Sequence, residues 1–99
     1  MQEQYKITYT DTTKRKLYSI YNYIKYDLSN SIAAYHFYNS IIGKIQILQY
    51  FPYGFPHFNE QNIRYLVHKR WIILYQIKSN CVVEIQTIFN SKQNLFFKS

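Results

Sequence analysis

Cysteine, glycine, proline and acidic side chains are all scarce in this chain, and each shortage removes options. The single cysteine, Cys81, cannot close an internal disulfide, so a reducing, cytoplasmic compartment is expected and Cys81 reads as a small strand residue. Two glycines leave no Gly-rich phosphate loop. His36, His57 and His68 stand at no metal-ligand spacing from one another or from Cys81. No metal and no cofactor are therefore expected, and no acid–His–Ser set suggests a nucleophile triad. No apolar run approaches the roughly 20 residues that span a bilayer, and the first residues, Met1 to Tyr5, lack the basic and apolar regions of a secretory signal. A membrane is not expected as a partner, since no basic amphipathic helix with a clean apolar face stands out.

What is abundant is basic and aromatic. Twelve Lys and Arg face five Asp and Glu, a formal charge of +7, which favours a nucleic acid or an acidic protein as partner. Twelve tyrosines and seven phenylalanines resemble a stacking surface for bases. The accompanying wealth of Ile, Asn and Lys, residues of A/T-rich codons, favours half-buried packing tyrosines instead.

At 99 residues the chain forms one domain, residues 1–99. Tyr5 to Tyr9 alternates and predicts a first strand. Thr10 or Asp11 offers an N-cap, and Leu17, Ile20, Tyr21, Ile24 and Leu28 form one helical stripe. Lys14, Arg15 and Lys16 sit early in that helix, against its dipole, and read as a solvated face. Ser29 to Ser31 breaks the pattern and caps a second helix with the stripe Ala34, Tyr38, Ile41, Ile45 and Leu48. The short break predicts a helical hairpin, and Gly43 suggests close approach to the first helix. Phe51 to Pro56, with two prolines and a glycine, ends the helix in a loop. Three strands follow, Ile63–Val67, Trp71–Ile77 and Val82–Ile88. The predicted fold is α+β, in the order β-α-α-β-β-β. A helical hairpin packs on one face of a small, mostly antiparallel four-stranded sheet.

Turn length sets which residues share a face. A two-residue turn at Lys69-Arg70 pairs Arg64 with Tyr75; a second at Ser79-Asn80 pairs Tyr75 with Glu84, making one row. Lys69-Arg70 is poor chemistry for a tight turn, and a three-residue loop would bring Gln76 beside Arg64 instead. In either register Arg64, Leu66 and His68 lie opposite Ile63, Tyr65 and Val67. The second set is the more apolar and is expected to meet the helices. That leaves Arg64 on the uncovered face, to contact an anion or to pair with Glu84.

The segments Asn62 to Val67, Trp71 to Tyr75 and Ile85 to Asn94 together resemble the RelE/ParE superfamily of bacterial toxins. Phe89-Asn90-Ser91-Lys92-Gln93-Asn94 is similar to the family's terminal motif, an aromatic, a His or Asp, then Thr-Arg-Gln-Asn. The hairpin and the Phe51, Pro52, Gly54 loop extend the resemblance over essentially the whole chain. It implies a type II toxin–antitoxin system, with a cognate antitoxin, acidic and amphipathic, wrapped around the sheet face and first helix. The toxin is then a hetero-oligomer with its antitoxin, with a toxin dimer as a further option.

The resemblance implies one of two mechanisms. RelE-like members cleave mRNA in the ribosome; ParE-like members bind DNA gyrase and trap its cleavage complex. As an endoribonuclease, this chain would rely on Arg64, Lys92 and the turn residue Arg70. The third-strand position that often carries an essential Arg holds Ile72, which cannot stabilise a phosphorane. Asn90 stands where a His could be, and an amide does not titrate near neutral pH. No Tyr follows Lys92, and Phe96 and Phe97 occupy the terminus with Lys98. The reading therefore leans away from an enzyme and favours ParE-like binding, with Arg64, Lys92, Gln93, Asn94 and Lys98 as target contacts. A decayed toxin that only binds its antitoxin is the third option.

Overall fold

A computed structural model describes residues 4–59 and 61–92. Six main elements follow one another: β1 (Lys6–Tyr9), α1 (Asp11–Asn22), α2 (Ser31–Ile45), β2 (Ile63–His68), β3 (Trp71–Lys78) and β4 (Val82–Asn90). They form one four-stranded sheet in the order β1-β4-β3-β2. β1 runs parallel to β4 and the other pairs are antiparallel. This is the predicted α+β arrangement. No helix among the described residues is long and apolar enough to cross a membrane.

α1 starts where the sequence offers a cap. Thr10 Oγ1 accepts from Thr13 N at 3.1 Å and lies 3.0 Å from the Gln86 carbonyl, while the Thr13 hydroxyl lies 2.9 Å from the Ile85 carbonyl. The two threonines thus join the helix start to β4, and Thr13 is fully buried. After Asn22 the helix widens into a π-helical turn, Tyr23–Asp27, which rotates later side chains off the stripe. Leu28, expected on that stripe, is 55% exposed as a result. Asn30 caps α2 through Ala33 N. Of the predicted α2 stripe, Ala34, Ile41, Ile45 and Leu48 are buried, but Tyr38 is 44% exposed and Phe37 takes its place at 9%. A Cβ added at Gly43 would meet nothing within 4 Å, so this exposed glycine does not serve close helix contact as expected. α2 then tightens into a 3₁₀ turn, Gln46–Gln49, and Pro52–Gly54 forms a second one.

The core joins Leu17, Phe37, Ile41, Ile45 and Leu48 of the helical layer to Leu66, Ile73, Tyr75, Val83, Ile85 and Ile88 of the sheet. The first turn is the two-residue one: His68 pairs with Trp71 and Arg64 with Tyr75. Lys69 accommodates it at a φ of 57°. The second connection differs from the Ser79-Asn80 alternative. Lys78 pairs with Val82, so Ser79, Asn80 and Cys81 form a three-residue loop, with positive φ at Asn80 and Cys81. Leu74 pairs with Thr87 but Tyr75 with Ile85, leaving Gln86 as the extra residue of a bulge. That bulge lets Ile85 and Ile88, three positions apart, both reach the core. Tyr75 therefore faces Ile85 and not Glu84, and the expected Arg64–Tyr75–Glu84 row does not form.

The face assignment also reverses. Leu66 is 1% exposed and Val67 48%, so the side carrying Arg64, Leu66 and His68 meets the core. The side with Ile63, Tyr65 and Val67 turns away from the helices.

Candidate functional site

Arg64 sits at the edge of the core, beside the loop after α2. Its Nη1 donates to the Phe55 carbonyl at 2.7 Å and to the Tyr53 carbonyl at 3.4 Å. The guanidinium lies 5.3 Å from the Tyr53 ring centre, a cation–π distance. Next to it, the buried Tyr75 hydroxyl donates to the Pro52 carbonyl at 2.6 Å. Burial pushes the Tyr75 hydroxyl up to about 12, against the opposing charge of Arg64, so it stays protonated at neutral pH. Together these side chains hold the Phe-Pro loop against the sheet. Arg64 thus clamps a loop, from the sheet side that meets the core and not from the uncovered face. Nor does it pair with Glu84, whose carboxylate lies 3.5 Å from Lys78 Nζ.

Lys92 is elsewhere. Asn90 pairs with Trp71 at one end of β3, while Arg64 pairs with Tyr75 further along it. Four residues at about 3.3 Å each separate the two positions by ~13 Å. The side chains expected to act together are therefore not brought together.

The end of the sheet near Lys92 assembles a different group. Ser91 N donates to the Arg70 carbonyl at 2.6 Å, tying the segment after β4 to the β2–β3 turn and placing Lys92 beside Arg70. Lys16, Lys69 and Arg70 line a groove of about 860 Å³ with a largely apolar floor that includes Ile20, Phe37, Trp71 and Ile88. Phe37 and Trp71 meet edge-on, their ring centres 5.2 Å apart. His68 borders this end, and its Nε2 is buried without a hydrogen-bond partner among the described residues. Burial lowers its pKa from the ordinary value, and the charges of Lys69 and Lys44 lower it further. The end of the molecule is therefore electropositive, with contributions from α1, α2, the turn and the segment after β4.

A match to the family model described as "ParE toxin of type II toxin-antitoxin system, parDE" covers residues 7–95. The chain belongs to the ParE toxin family. A search of curated proteins finds no match. Among solved structures, a chain of the "Chromosomal ParDE TA system from P. aeruginosa" is similar at a TM-score of 0.76. It is 16% identical, over 88% of this chain and 96% of that one. At that identity the likeness concerns the fold.

In this ParE-family toxin, Asn90 and Ile72 bring no titratable group to the two positions weighed for an RNase. Asn90 Oδ1 accepts from Lys92 N at 2.9 Å, so the amide caps the end of β4. Ile72 pairs with Val67 and Phe89, on the sheet face opposite Arg64. Arg70 is exposed on the turn. No group of three His, Cys, Asp or Glu able to hold a metal occurs among the described residues. Of the expected site residues, Arg70 and Lys92 lie at the same end of the sheet and Arg64 stands apart, while Gln93, Asn94 and Lys98 lie outside the described residues, as do Phe96 and Phe97. Lys16, Lys44 and His68 join the basic end without having been singled out for it. The one sequence signal for Lys16 was a basic run placed against its helix dipole. Lys44 and His68 gave none.

Proposed function

We propose that this toxin arrests growth by binding DNA gyrase, with no catalytic step of its own, and that a cognate antitoxin neutralises it. The observation that carries this reading is the fate of Arg64. Its guanidinium is committed to the carbonyls of Phe55 and Tyr53, and it is separated from Lys92 by much of β3. An RNase needs preorganised cations around one phosphate, whereas a binding toxin needs only a basic and apolar surface. Lys92, continuing into Gln93, Asn94 and Lys98, is the proposed target contact, and Arg64 contributes by holding the loop in shape. The antitoxin is proposed to cover α1 and the sheet face away from the helices, through an acidic amphipathic segment that complements the basic charge of the chain.

The deciding experiment compares gyrase supercoiling and mRNA cleavage on programmed ribosomes, using the same purified toxin. Loss of supercoiling with intact mRNA is expected. Cleaved mRNA with supercoiling untouched would instead establish the endoribonuclease. Normal growth on expression without antitoxin would indicate a decayed toxin.

A further inference from the structure

The turn between β2 and β3 is built from the wrong residues for stability. A two-residue hairpin turn favours Asn-Gly, because its backbone needs positive φ. Here Lys69 adopts 57°, a region that strains a side chain with a Cβ, and Arg70 follows it. Both side chains are exposed and neither makes a hydrogen bond or ion pair among the described residues. Lys16 reaches the same groove from α1, Lys44 acts on the adjacent His68 from α2, and Lys92 follows β4. Among the described residues no carboxylate lines the groove, and Glu84 is paired with Lys78 at the opposite end of β3 and β4.

We infer that this end of the toxin contacts the phosphate backbone of duplex DNA. The inference rests on the gyrase reading for its biological setting, since gyrase presents DNA to whatever docks on it, but the contact itself belongs to the toxin. Five cations from four segments of the fold are spread across one end. That arrangement suits a continuous polyanion, which can be met in several registers, and needs no base-specific hydrogen bond. A Lys-Arg turn in place of Asn-Gly puts two exposed charges at the tip of the hairpin.

The test is fluorescence anisotropy of the full chain with a labelled 20-base-pair duplex as the probe. Micromolar affinity at low salt is expected, independent of base sequence. About four phosphate contacts would make it fall roughly 100-fold between 50 and 200 mM salt. Replacing Lys69→Gly together with Arg70→Ala should flatten the salt slope by about 2. Lys69→Gly alone should weaken DNA binding without lowering the melting temperature, because glycine accepts the positive φ. Absence of binding at 50 mM salt overturns the inference, as does an unchanged slope in the folded double variant. Displacement of the duplex by polyglutamate as effectively as by unlabelled DNA also overturns it, in favour of an acidic protein. Gyrase supercoiling measured alongside separates the two proposals. Inhibition without DNA binding ends this one alone, and DNA binding without inhibition ends the gyrase reading alone.

Discussion

Arg64 illustrates how a single side chain can be placed on the right strand and the wrong face. Ile63, Tyr65 and Val67 form the more apolar set, and strand parity alone would bury them. The buried set is chosen by the whole sheet, where Leu66 aligns with Ile73 and Ile88. Arg64 is tolerated on that side because Tyr53 and Phe55 supply carbonyls and a ring to receive it. Arg64→Ala should lower stability by about 2 kcal/mol, the scale of charge-assisted hydrogen bonds. In a domain of this size that lowers the melting temperature by roughly 10 °C. A melting temperature unchanged on substitution would contradict the clamp. His68 makes a second residue-level case. Its folded pKa lies below the ordinary 6.5, so the unfolded chain binds the proton more readily. Stability is then full above about pH 7 and falls as the pH drops through 6.5 towards the folded pKa. Urea unfolding at pH 7.5 and pH 5 should show a larger loss for the parent than for His68→Leu.

Elements were more legible than single contacts. The first strand, the Thr10 cap, the hairpin break and the three-strand meander all appear where periodicity and capping chemistry place them. The register beyond Tyr75 was not legible, because the bulge at Gln86 is decided by tertiary contacts. Its neighbouring carbonyls lie against Thr10 and Thr13, and Ile85 and Ile88 both have to reach the core. The π-helical turn that exposes Leu28 likewise has no marker in the stripe. Gly43 was legible as an oddity but not as a cause. It is exposed, helical and free of neighbours at its Cβ position, so its flexibility weakens α2 without a packing return. Gly43→Ala should therefore stabilise the protein by about 0.5–1 kcal/mol. Thermal unfolding would show this as a rise of a few degrees, and a fall would mean that the helix surface is needed bare.

At the scale of the whole molecule, charge asymmetry could be counted from the sequence, but its location could not. Lys16 and Lys44 are 28 positions apart in the chain yet act at one end of the sheet, together with the turn and the segment after β4. Only the packed hairpin creates that end. The sheet order has a further consequence for when the toxin comes into being. β4 lies between β1 and β3, and Lys6 pairs with Val82. β1 thus waits for β4, and the centre of the sheet is absent until Val82–Asn90 has been made. A chain ending at Asn80 should show no cooperative unfolding by circular dichroism, since β1 would have no partner. A chain still under translation is in the same position. Any activity that needs the folded sheet is therefore withheld by topology from copies that have not yet reached β4.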